Sequence, residues 1–303
     1  MLYRIADFIV EICFSSAYNN GEALVPSLSH FVAKDVDNDK NPLFRLFVDD
    51  SLKPRREGRE RIGDFGSGNG NIIVDRFPDG SYQYIVKDTE GRECVLLQTT
   101  SSFSDCRCAL AGNFAMRQYG LNNALMMIFA FAASFHGALM IHASLVRNAG
   151  TGYAFIAKSG TGKSTQVSNW LRYIPDCDLM NDDNPIIRIV GENVMIYGSP
   201  WSGKTPCYRN VKAPLGAVTR IDRAQRNWVE KLKPVEAFAS MLPACSTMKW
   251  DKQVFDNVCR SVSDVIRLSS LYTLHCLPDR ESALVCHSVV AKKAEAASEN
   301  ETA

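Results

Sequence analysis

The sequence predicts an α/β protein in two parts, a β-rich N-terminal domain followed by an α/β domain ending in helices. Three observations carry this. Apolar and polar residues alternate in Tyr3–Ile12 and again in Ser81–Val86; helical and strand patterns intermix from about residue 119; and a strand pattern at Gly152–Ile156 runs through a glycine-rich loop into a helical pattern at 163–174.

At 303 residues the chain is about twice a typical single domain, long enough for one large or two medium cores. Its 34 basic and 33 acidic residues leave a formal charge of +1, so no chain-wide field draws it to nucleic acid or to anionic lipid. Ten scattered cysteines are too sparse for a disulfide scaffold and suit a reducing, cytoplasmic setting. The opening Met1-Leu2-Tyr3-Arg4 runs into Asp7 and Glu11, which interrupt the apolar core of a secretory signal, so no export is expected. The most apolar stretch, Ala124–Phe135, is short for a bilayer span of ~20 residues and reads as a buried helix, leaving no membrane partner.

Residues 1–118 form the predicted β-rich domain, whose role no motif names. Pro78-Asp79-Gly80 and Asp88-Thr89-Glu90-Gly91 supply the φ > 0 residues of tight reversals, predicting two hairpins. The polar, glycine-rich stretch from Asp35 to Gly70 reads mainly as exposed loop. Within it, Gly66–Gly70 reads as a turn, because a strand pattern and not a helix follows it. The second domain is assigned to 119–293. Helical spacing is read at Pro234–Leu242, Asp251–Leu268 and Asp279–Lys293, the last with Asp279 as N-cap, and the small polar tail 294–303 is expected to fray. Cys106 and Cys108, with no second pair or nearby histidine, do not read as a zinc site.

Two loops compete as a phosphate cradle. Gly198-Ser199-Pro200-Trp201-Ser202-Gly203-Lys204-Thr205 satisfies the pattern GxxxxGK[ST] in full, whereas Ala157-Lys158-Ser159-Gly160-Thr161-Gly162-Lys163-Ser164 has alanine where the first glycine belongs. Physical context reverses the choice. A cradle needs a strand feeding a loop whose amides point inward, then a helix whose N-terminal dipole faces the anion. The first loop has both neighbours. The second has Pro200 inside the would-be cradle, and Pro206 and Pro214 where a helix should follow. The cradle is therefore assigned to Ser159, Gly160, Thr161, Gly162, Lys163, Ser164 and Thr165, with Lys163 on the β- and γ-phosphates and Ser164 on Mg²⁺.

Farther on, Asp182 and Asp183 follow a short apolar stretch, where a Walker-B type ligand would sit; one can serve the metal, assigned to Asp183 with Ser164, while the other accepts the proton of an attacking hydroxyl. Lys204 and Arg209, on the second loop, read as cations that neutralise a transferred phosphoryl group or bind an acidic acceptor, and Trp201 as a cover over the pocket or a packed side chain.

Ser159–Thr165 with the Asp182-Asp183 pair resembles the HPr kinase/phosphorylase family and its relative, phosphoenolpyruvate carboxykinase. In HPr kinases a histidine opens a strand about 15 residues before the first P-loop glycine, and His142 precedes Ala157 by 15, with Gly150 and Gly152 turning the hairpin between. The resemblance spans about 140 to 190 and implies a carboxykinase-type nucleotide-binding domain with a mixed sheet, an active-site role for His142, and ATP and Mg²⁺ as cofactors. It implies a kinase acting on a serine-type hydroxyl of a small molecule, peptide or carrier protein, and permits reversal by phosphorolysis and a homo-oligomer. The HPr-contacting stretch of that family has no counterpart here, and the chain is much shorter than a carboxykinase proper. A nucleotide-binding sensor without catalysis is the alternative reading.

Overall fold

The computed structural model describes the chain apart from Asn19, 35–40, Gly68, Asn69, Lys204 and 292–303, and apart from the side chain of Ser67. The sequence-predicted tail and the Lys204 assignment thus lie outside the described residues. The protein is mixed α/β and divides into two compact units, 1–136 and 137–303. The division falls after the apolar helix and not at 118/119, because that helix packs on the first sheet.

The first unit is an eight-stranded sheet of β1 (Leu2–Ile5), β2 (Phe8–Phe14), β3 (Phe44–Val48), β4 (Glu60–Ser67), β5 (Gly70–Arg76), β6 (Tyr82–Lys87), β7 (Glu93–Thr99) and β8 (Asp105–Leu110), in the order β1-β2-β3-β8-β7-β6-β5-β4. The run Tyr3–Ile12 is not one strand. Ala6 and Asp7, at φ 48° and 62°, reverse the chain so that Ile5 faces Phe8. A two-residue reversal preserves the alternation, and neither residue is a glycine, so the pattern alone reads straight through it. Part of the expected 35–70 loop is also strand: Phe44, Leu46 and Val48 are buried in β3, which lies parallel between β2 and β8 at the centre of the sheet.

Helix α1 (Phe114–Ser134) begins ten residues before the apolar run, where the Asn113 side chain accepts from the Met116 amide at 3.1 Å. Gly120 lets it approach β7, since a Cβ there would lie 2.7 Å from the Cys94 carbonyl oxygen. Phe129 and Phe131 meet Phe8 and Phe103 with ring centroids 6.3 and 5.3 Å apart. Among the described residues no helix is long and apolar enough to cross a membrane.

The second unit contains β9 (Ala138–Met140), β10 (Ala143–Asn148), β11 (Thr151–Ile156), α2 (Lys163–Tyr173), β12 (Cys177–Asp183), β13 (Ile186–Val190), β14 (Asn193–Tyr197), β15 (Lys212–Arg223), β16 (Trp228–Lys231), α3 (Pro234–Met241), α4 (Lys252–Leu268), β17 (Ser270–Cys276) and α5 (Arg280–Val290). Its sheet runs β12-β10-β11-β15-β14-β13-β9, with β17 and β16 added beside β15. β11 is antiparallel to β10 and parallel to β15. Both faces are covered, which explains the near-continuous apolar strands. Along β11, Ala154 and Ile156 join the core formed with Met241 of α3 and Val258, Val262 and Val265 of α4, while Tyr153 and Phe155 join the core of Trp170 from α2 and Ala283 and Cys286 from α5. Asp279, predicted as an N-cap, accepts from the Ser282 amide at 2.9 Å, and Asp251, where helical spacing was read to begin, caps α4 by accepting from the Val254 amide at 2.9 Å.

Candidate functional site

The buried strand β11 ends at Ile156, and the chain turns through 157–162 into α2. Gly160 and Gly162 sit at φ 76° and 132°, and a Cβ on either would meet nothing within 4 Å, so the loop bends around open space in a conformation that suits glycine. No side chain caps α2, so the amides of its first turn remain without the partner an N-cap would provide. Ala157 is not among the residues with positive φ, so this position does not need the glycine of the written pattern.

Around the loop lies a cavity of about 320 Å³ lined by His142, Ser144, Ser159, Lys163, Ser164, Asp182, Asp183 and Gly203, together with Gly160, Gly162 and Thr165. Lys163 Nζ lies 2.8 Å from His142 Nε2 and donates to the Ala157 carbonyl at 3.2 Å. Its ammonium has three protons, so one stays free for a ligand oxygen. With Nε2 accepting, the imidazole carries its proton on Nδ1, which lies 2.9 Å from Asp183 Oδ1. Burial pushes the lysine below its ordinary pKa, against the opposing charges of Asp183 and Asp182. The His142 hydrogen bond holds the Asp183 carboxyl below the usual range in spite of burial, aided by the Lys163 charge and the Asn184 hydrogen bond.

The two aspartates, adjacent at the end of β12, occupy different surroundings. Asp182 is buried, and its Oδ1 accepts from Ser144 at 2.6 Å and from Ser164 at 3.3 Å. Asp183 keeps 36% of its side chain exposed and holds φ at 115°, an uncommon conformation for a residue with a Cβ. Strain of this kind costs ~1–3 kcal/mol and persists only where surroundings impose it. Here they do: the Gly203 amide donates to the Asp182 carbonyl at 2.6 Å, Ser202 Oγ donates to the same oxygen at 3.0 Å, and the Asn184 amide group donates to Asp183 Oδ2 at 3.1 Å. Preceding them, fully buried Asn181 reaches the carbonyls of Ser199, Trp201 and Cys207 at 3.2–3.4 Å and accepts from the Asn184 amide at 3.0 Å.

The expected residues therefore converge with few exceptions. Ser159, Gly160, Gly162, Lys163, Ser164, Thr165, His142, Asp182 and Asp183 line one cavity, and Thr161 stands beside it with its carbonyl accepting from Arg223 Nε at 3.1 Å. Ser164 approaches Asp182 and not Asp183, the carboxylate paired with it from sequence. Arg209 does not join them. Its guanidinium lies 2.5 Å from Asp178 and also donates to the Leu179 carbonyl, while Arg147 grips the same carboxylate through two 2.9 Å bonds. Trp201 is buried and packs without lining the cavity.

Ser144, Asn181, Gly203 and Arg223 escaped sequence reasoning. Ser144 had a signal, since it stands two residues after His142 at the start of a strand and so shares its side. Asn181 and Arg223 had none, because their partners are carbonyls brought up by distant segments.

The oxygen set of Ser164 and Asp182 fits Mg²⁺, a hard ion that takes one or two protein carboxylates and keeps other positions for water and phosphate. Among the described residues no group of three His, Cys, Asp or Glu side chains could hold a metal by itself. No protein-family model matches this chain, and no curated protein matches it.

Proposed function

We propose that the protein is an ATP- and Mg²⁺-dependent kinase that transfers a phosphoryl group to a hydroxyl acceptor, of serine type, on a small molecule, peptide or protein. One observation carries the reading: Lys163, His142 and Asp183 form a hydrogen-bonded chain facing the free N-terminus of α2, with Ser164 and Asp182 beside it. The antiparallel β10 next to the loop-bearing β11 supports the carboxykinase-type domain that the sequence resemblance implies, since the common P-loop sheet places parallel strands there.

In this reading the α2 amides and the third proton of Lys163 bind the phosphate oxygens. Ser164 and Asp182 would hold the metal, which when bound neutralises charge on the phosphates. Asp183, the more exposed carboxylate, faces the acceptor and takes its hydroxyl hydrogen bond, orienting the oxygen for in-line attack. A depressed pKa makes Asp183 a weak base, which suits a loose transition state in which the proton leaves late. His142 fixes the carboxylate at Oδ1 while holding the lysine from the other ring nitrogen.

The test is incubation of the protein with terminally labelled ATP, Mg²⁺ and panels of metabolites, peptides and lysate proteins. A labelled acceptor that requires Asp183 is the expected result. Tight nucleotide binding with no transfer to any acceptor would favour the sensor instead.

A further inference from the structure

The glycine loop also walls a second cavity. It has a volume of about 350 Å³, within the ~300–1,000 Å³ of small-molecule sites, and shares Gly160, Gly162 and Thr165 with the first. Its other walls come from the first turn of α2, the end of β15 and the β17–α5 connection. Ile221, Ala224, Cys276, Leu277 and Pro278 make it largely apolar. Arg223 is the charged side chain that lines it among the described residues, and its guanidinium is engaged by the carbonyls of Gly160 and Thr161 at 2.5 and 3.1 Å.

One polar side chain in this wall is unmatched. Gln166, 2% exposed on the first turn of α2, has its Oε1 3.0 Å from Ser282 Oγ, while its Nε2 is buried with no hydrogen-bond partner. Turning the amide over would give Nε2 the serine and leave Oε1 in its place, so one polar atom stays unmatched in either orientation. A buried amide atom without a partner costs ~1–3 kcal/mol, a cost that is removed when the side chain turns its amide into the cavity it lines and a ligand there completes the bond.

We propose that this cavity takes the base and ribose of a purine nucleotide whose phosphates lie on the amides of α2, with Gln166 as the residue that hydrogen-bonds the base. The inference rests on the phosphate-cradle reading. An uncharged flat ring suits apolar walls whose arginine already directs donors to backbone carbonyls, and adenine presents a ring nitrogen beside an exocyclic amine, an acceptor and a donor that match the glutamine in either orientation. The shared glycines place the two cavities within the reach of one extended molecule.

Calorimetric titration of the full chain with Mg²⁺ and either ATP or inorganic tripolyphosphate separates the two readings. ATP is expected to bind at least ~10-fold tighter than tripolyphosphate. Leu277→Trp, at a position 40% exposed and so tolerant of change, should fill the cavity and reduce ATP to the affinity of tripolyphosphate, whose own binding stays constant. Gln166→Leu should weaken ATP about tenfold, ~1.4 kcal/mol, again without touching tripolyphosphate. Equal affinities in the unaltered protein, or an ATP preference that survives Leu277→Trp, would overturn the base pocket while leaving the cradle standing. Failure of both ligands to bind would overturn the cradle, and the pocket assignment with it.

Discussion

Two glycine loops in the second unit invite the same sequence reading and have opposite structures. The loop at 157–162 leaves a strand and opens into α2, with two glycines bent around open space. The loop after β14 leads into β15, another strand, and closes on itself: Ser199 and Trp201 are buried, and a Cβ on Gly198 would run into the Arg209 carbonyl. Glycine serves the first loop by its conformation and the second by its lack of volume. The pattern GxxxxGK[ST] records the residue types and cannot separate these uses, whereas the proline positions and the element that follows do.

The largest expected effect breaks the symmetry outright. Lys163→Ala should lower phosphoryl transfer by ~10²- to 10³-fold or more, the scale on which a preorganised charge contact acts. The fold should survive, because the ammonium is held below its ordinary pKa by burial and its loss relieves a desolvation cost. A steady-state assay beside thermal melting checks both, and undiminished turnover would return the cradle assignment to open contest between the loops.

Asp183→Asn comes next, with transfer expected to fall ~10²-fold and a stability effect that depends on pH. The native carboxyl is held low by His142, so its favourable contribution is fully present above the unfolded value of about 3.9 and is lost as pH falls through the lower native one. Melting of the two proteins should therefore differ near neutrality and converge in acid. A gap that does not narrow as pH falls below about 3.9 would show that the carboxylate is not held by its charge.

How much of this was legible beforehand follows from the range of each interaction. The strand, loop and helix at 151–173 are local, and so is the cap at Asp279; periodicity and side-chain type suffice for them. The reversal at Ala6–Asp7 was hidden because it keeps the alternation in phase, and β3 because it sits among charged residues although Phe44, Leu46 and Val48 alternate. At the site, sequence brought the chemistry together but not the pairings. That Ser164 serves Asp182, that Arg209 is taken up by Asp178, and that Asn181 reaches the carbonyls of Ser199, Trp201 and Cys207 are contacts between residues 18 to 31 positions apart, where side-chain type says nothing of direction.

A matched pair of glycine substitutions sharpens the contrast at smaller scale. Gly198→Ala should cost ~1–3 kcal/mol of stability by overpacking, with nucleotide affinity nearly unchanged in the molecules that fold. Gly162→Ala meets no atom, so its cost is the left-handed backbone, ~1–2 kcal/mol, appearing in weakened nucleotide binding because the loop shifts to relieve it. Chemical denaturation and nucleotide titration of both variants give four numbers. If both variants lose stability and keep affinity, the two loops are equivalent packing elements and their distinction fails.

The smallest effect tests the pattern itself. Ala157→Gly completes the written motif at the first loop, and on motif grounds it should improve the cradle. The structure argues for the reverse. Ala157 holds no positive φ, packs partly against the core that includes Trp170, and already presents its carbonyl to Lys163 at 3.2 Å. Glycine would add nothing to that bond and would release the unfolded chain, so stability should fall by ~0.4–1 kcal/mol while nucleotide affinity stays within about twofold. A gain in affinity would mean that the loop needs a conformation alanine denies it, and that the backbone path from Ile156 to Lys163 changes when phosphate binds.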